Sequence, residues 1–148
     1  MSRTSDPVQP SRPRPVLLRA LAVGAVLVYA LQGLVPLLMD GEVPRPDELL
    51  APPSPVVLGG PFAWAAALAA LVLPRGRAHP LATTAVGTLA YVAGLALGAF
   101  VEIGPGTGGW NWGWESVVAI LLVTGVWVPA LVAAAALAWL ARPRRTPA

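Results

Sequence analysis

Hydrophobic positions gather in four long runs separated by short polar stretches: 16–39, 56–73, 81–101 and 117–141. Crossing roughly 30 Å of hydrocarbon takes about 20 mostly apolar residues in a helix. Each run is close to that length, and none shows the strict alternation of a barrel strand. A backbone in lipid must satisfy its own hydrogen bonds, which favours helices. The pattern therefore predicts an all-α integral membrane protein, a four-helix bundle occupying residues 16–141. The polar, proline-rich stretch 1–15 is expected to be a disordered basic tail, and 142–148 a second basic tail.

Charge gives the expected orientation. Arg3, Arg12, Arg14, Arg19, Arg75, Arg77, Arg142, Arg144 and Arg145 all fall on one side if four helices are crossed, and Arg45 alone falls on the other. Positive charge is retained in the cytoplasm during insertion, so both termini are expected inside, in a multi-pass protein of the cytoplasmic (inner) membrane. The tail arginines suit anionic lipid headgroups, and Arg19 should snorkel toward them. A cleavable signal peptide ending near Ala30 is the competing reading. It is disfavoured because the apolar run continues to Met39.

Composition narrows the chemistry. Charged residues make up 11% of the chain and hydrophobic ones 56%, against about 25% charged in ordinary soluble proteins. There is no cysteine, so disulfides and thiolate metal sites are excluded, and the lone His79 cannot build a metal or haem site by itself. The net charge of +3 does not form a nucleic-acid stripe, because the arginines cluster at the helix ends. No cofactor is expected. No Asp, Glu, Lys, Arg or His lies in the middle of a run, as proton-coupled transport generally requires. Neither a Ser/His/Asp set nor a zinc-protease helix is present, so catalysis is not expected. Glu102 and Glu115 flank one outer loop, but no cleft is evident between them.

The segment 104–116, GPGTGGWNWGWES, contains the glycine spacing of a dinucleotide fingerprint. That motif needs a preceding strand and a βαβ unit, whereas here it follows a membrane helix. Trp110, Trp112 and Trp114 are better explained as an outer interface belt, since indole combines an apolar body with one polar N–H. A stacking surface for a headgroup or sugar is the sharper alternative. The acidic loop 40–55 lacks calcium-loop spacing. Ser54 and Pro55 read as the cap and first-turn proline of the second helix.

Tyr29, Trp64, Tyr91 and Trp127 fall near the centres of the four runs. Gln32, Thr88 and Thr124 stand three positions from Tyr29, Tyr91 and Trp127, on the same faces. Two readings follow: a packed core whose polar tips satisfy one another, or an aromatic-lined pocket for a lipophilic molecule. Ala90, Gly94 and Gly98 repeat every four residues, a pattern that permits close helix approach within the chain or in a homo-oligomer. Pro36, Pro61 and Pro129 are expected to kink or open their helices. The functional expectation is a non-enzymatic accessory or scaffold partner of other membrane proteins. The alternative is a transporter or carrier of a lipophilic small molecule.

Overall fold

The computed structural model describes residues 14–40, 54–75, 79–104 and 113–140, with side chains described at all of these except 34–40. Among the described residues the ordered elements are all helices: α1 (Arg14–Asp40), α2 (Pro55–Val72), α3 (Pro80–Ile103), α4 (Gly113–Val123) and α5 (Val128–Leu140). The part of α1 up to Gly33, together with α2 and α3, is long and apolar enough to cross a membrane. The pair α4 and α5, bent by 58°, counts as a fourth only if both are one span. The tail 1–13, the acidic loop 41–53, residues 76–78 with Arg77, residues 105–112 and the tail 141–148 lie outside the described residues, and the expectations placed on them stay there.

The N-terminus of α2 shows how the chain satisfies backbone donors that a helix leaves over. Pro55 has no N–H to place. Val56 N–H donates to Glu102 Oε2 at 3.2 Å, and Val57 N–H to Ser54 Oγ at 3.4 Å. Leu58 N–H reaches the Ser54 carbonyl at 3.0 Å. The carboxylate from the end of α3 also opposes the positive end of the α2 dipole. This one residue therefore ties the two helices together at their shared end. At the start of α3, His79 occupies the cap position without a side-chain hydrogen bond, and Pro80 follows.

Helices α2 and α3 run antiparallel with their backbones in close approach. A Cβ on Gly59 would collide with the Gly94 carbonyl oxygen, one on Gly94 would come within 2.6 Å of Ala63 Cβ, and one on Gly98 would strike the Pro55 backbone. The Gly94 and Gly98 repeat is thus spent on contact with α2 inside the chain. Ala90, expected in the same stripe, is half-buried. Helix α1 runs antiparallel along α2: Leu17 packs with Val72 at one end, and Gln32 bonds the Val57 carbonyl toward the other. Helix α5 packs against α1 and α3, and α4 against α3.

The helix expected over 117–141 is two helices, and the reason is local. Gly125 has φ of +75°, the only positive φ among the described residues. Its N–H bonds the Leu122 carbonyl at 3.3 Å, and Val126 N–H bonds the Leu121 carbonyl at 3.4 Å. This pair of reversed bonds is the Schellman closure, in which glycine at the left-handed position ends a helix. Thr124 Oγ1 also donates to the Leu121 carbonyl at 3.0 Å, and Trp127 Nε1 to the Leu122 carbonyl at 3.0 Å. Pro129 then sits in the first turn of α5, where its missing N–H costs nothing. The expected bend is therefore present, but glycine ends α4 and the proline begins α5. Pro61 behaves differently from expectation, because α2 continues through it unbroken.

Candidate functional site

The continuity of α2 raises a question of accounting. In an α-helix the Val57 carbonyl accepts from the N–H four residues later. That residue is Pro61, which has none. Gln32 of α1 supplies the missing donor: its Nε2 bonds the Val57 carbonyl oxygen at 2.5 Å. Its other amide atom, Oε1, accepts from the Tyr91 hydroxyl of α3 at 2.7 Å. One glutamine, 6% exposed, thus joins three helices through a buried relay. Gly60 makes room for it, because a Cβ there would come within 2.6 Å of the Tyr91 ring.

Trp64 forms the second polar link. Its ring is fully buried, and Nε1 donates to the Ala130 carbonyl at 3.1 Å, in the first turn of α5. The indole occupies a slot cut by two glycines on other helices. A Cβ on Gly24 would lie 2.7 Å from the ring, and one on Gly87 would lie 3.1 Å from Nε1. Tryptophan on α2 therefore fixes where α5 restarts after the break. Tyr91 and Trp64 belong to one apolar cluster with Leu21, Val28, Leu68 and Leu95.

These links correct the pairing expected along each helix. Tyr29 does not join the central layer: it is 40% exposed and its ring borders an outer groove. Gln32 bonds Tyr91 rather than Tyr29, so Thr88 is not the Tyr91 partner. The Thr88 hydroxyl, like that of Thr83, is buried without a hydrogen bond. Thr124 and Trp127 serve the helix break rather than each other. The structure therefore brings Gln32, Trp64 and Tyr91 together, with Trp127 packed against the same cluster. Trp64 and Tyr91 have no exposed surface, so this layer has the character of a packed core.

Of the expected outer belt, Trp110 and Trp112 lie outside the described residues. Trp114 stands at the start of α4 and meets Phe100 of α3 edge-on, with ring centroids 5.8 Å apart and planes at 86°. That geometry suits the ring quadrupoles. Trp114 Nε1 and Glu115 Oε2 are buried there without a hydrogen bond.

Groups of three or more metal-binding side chains are absent among the described residues. No protein-family model matches the chain, nor does any curated protein or solved structure. The class that fold and site define is an all-helical protein with three helices able to cross a membrane, or four if the bent pair is one span.

Proposed function

We propose that the chain is a non-enzymatic integral membrane protein of the cytoplasmic membrane, an accessory or scaffold partner for other membrane proteins. It crosses the bilayer four times, with α4 and α5 forming one broken span and both termini cytosolic. Two facts support the spans. The most apolar 18-residue stretch of each of the three long segments has a mean hydropathy of 1.8, yet only 22, 28 and 33% of it is buried. Leu18, Val23, Val26 and Leu27 of α1, Phe62 of α2 and Leu81, Leu89 and Leu97 of α3 are each more than half exposed, and lipid or a partner must cover them. The nine-to-one arginine distribution supports the orientation.

The observation that carries the scaffold reading is the use made of the central polar groups. Gln32, Tyr91 and Trp64 spend their hydrogen bonds joining helices. The rings that would line a carrier pocket are either fully packed, as in Trp64 and Tyr91, or turned outward, as in Tyr29. A lipophilic carrier is accordingly the second reading.

Purification of the full-length tagged protein in mild detergent tests the two. The scaffold reading expects a membrane protein to co-purify in fixed stoichiometry. A chain that purifies alone and gains thermal stability from lipophilic compounds would favour the carrier instead. Orientation is tested separately. Because the chain has no cysteine, Ser2→Cys and Thr146→Cys each introduce a unique thiol. Neither should react with an impermeant maleimide in intact cells, and labelling of either refutes the proposed topology.

A further inference from the structure

A groove of about 280 Å³ runs along the outer seam between α1 and α2. Its walls include Ala25, Val26 and Tyr29 on one side and Pro61, Phe62 and Ala65 on the other. The groove exists because alanines stand at the seam while Phe62, 69% exposed, and Val26, 66% exposed, rise beside it. Its lining is apolar throughout, so its occupant must be apolar where the two meet.

What occupies it is indicated by the charges beyond its Ala25 and Ala65 end, with Arg19 about 9 Å further along α1. Leu17 packs with Val72 where the seam closes. Arg14 and Arg19 of α1, together with Arg75 just beyond α2, stand within about a turn of that contact, and all three are exposed. Arg75 already directs one guanidinium N–H to the Leu71 carbonyl at 3.0 Å, which holds its stem beside the helix end. The described carboxylates, Glu102 and Glu115, lie at the opposite ends of the helices, next to the N-terminus of α2 and in the first turn of α4.

Arg14 and Arg19 also bracket the groove in angle. At 100° per residue, the two fall on opposite sides of the face presented by Ala25, Val26 and Tyr29. Along the axis, Arg19 to Tyr29 is ten residues, or roughly 15 Å at about 1.5 Å per residue. That is half of a hydrocarbon core about 30 Å thick, the depth of one leaflet. A molecule with an anionic head and an apolar tail one leaflet long matches both ends.

We infer that the α1–α2 seam is a binding site for one anionic phospholipid of the cytosolic leaflet. Its phosphate is held by Arg14, Arg19 and Arg75, and one acyl chain lies in the groove up to the ring of Tyr29. The site rests on the four-span reading with the N-terminus inside, because only that topology puts the arginines at the cytosolic headgroups.

The test is native mass spectrometry of the full chain released from nanodiscs of equimolar phosphatidylglycerol and phosphatidylcholine. The wild type should retain one phosphatidylglycerol in clear preference to phosphatidylcholine. Arg19→Gln should reduce that preference about fivefold. Val26→Trp, at an exposed position where folding is not at risk, should fill the groove and abolish retention of either lipid. Circular dichroism checks that both variants remain helical. Equal retention of the two lipids by the wild type overturns the inference, and so does unchanged retention by Val26→Trp. Failure of the protein to float with liposomes would instead refute the membrane reading itself, so the two failures are distinct.

Discussion

Gln32 offers the sharpest test of how this chain holds together. Gln32→Leu keeps a side chain of similar size but removes both bonds of the relay, to the Val57 carbonyl and from the Tyr91 hydroxyl. Interhelical hydrogen bonds between membrane helices contribute about 0.6 kcal/mol each, and up to 1.7. Two of them give an expected loss of roughly 1–3 kcal/mol. The stronger prediction concerns Pro61. Pro61→Ala restores the N–H that the Val57 carbonyl lacks, so the helix then satisfies that carbonyl internally. In the Pro61→Ala background, Gln32→Leu should cost about 1 kcal/mol less than in the wild type, because only the Tyr91 arm is left unpaired. Both positions act on the Val57 carbonyl, so such coupling is the expected signature. The assay is reversible unfolding of purified protein in mixed micelles titrated with dodecyl sulfate, followed by far-ultraviolet circular dichroism. If Gln32→Leu costs the same in both backgrounds, within roughly 0.3 kcal/mol, the carbonyl-repair argument is wrong.

Other expectations use the same unfolding assay. Gly94→Ala forces a methyl into the Gly59 backbone and Ala63, and should destabilise the protein by about 1–3 kcal/mol. Gly33→Ala meets nothing within 4 Å and should be neutral or stabilising by up to about 1 kcal/mol through helix propensity. Equal effects of the two would refute the close α2–α3 seam. Gly125→Ala must adopt a left-handed conformation and should cost about 1–2 kcal/mol. A neutral result would mean that α4 and α5 do not end and restart as described.

Much of the helical layout was legible from hydropathy alone. Long apolar runs leave the backbone little choice but a helix, and α1, α2 and α3 start and stop within about two residues of their runs. Ser54 and Pro55 were readable as a helix start because a cap depends only on residues adjacent in sequence. The break after Val123 was half legible. Pro129 signalled a bend, but the left-handed turn at Gly125 depends on which of 15 glycines is forced into that conformation, and spacing does not single one out.

The candidate site was harder to read. Helical periodicity places Gln32 beside Tyr29 and Thr88 beside Tyr91, and those are the pairs that sequence spacing can propose. The actual partners lie 25 and 59 residues apart in the chain. They meet because α1 and α3 both lie against α2, with glycines at 59, 60 and 94 letting the axes draw close. A proline inside α2 could be recognised as lacking a donor. Which side chain would supply the substitute, and from which helix, was settled only when three helices packed around the same carbonyl oxygen. Local composition determined that the chain is helical and apolar, since each helix satisfies its own backbone. Tertiary packing decided which few polar atoms remain to be satisfied between helices, because that depends on helix rotation and depth, quantities that no single segment contains.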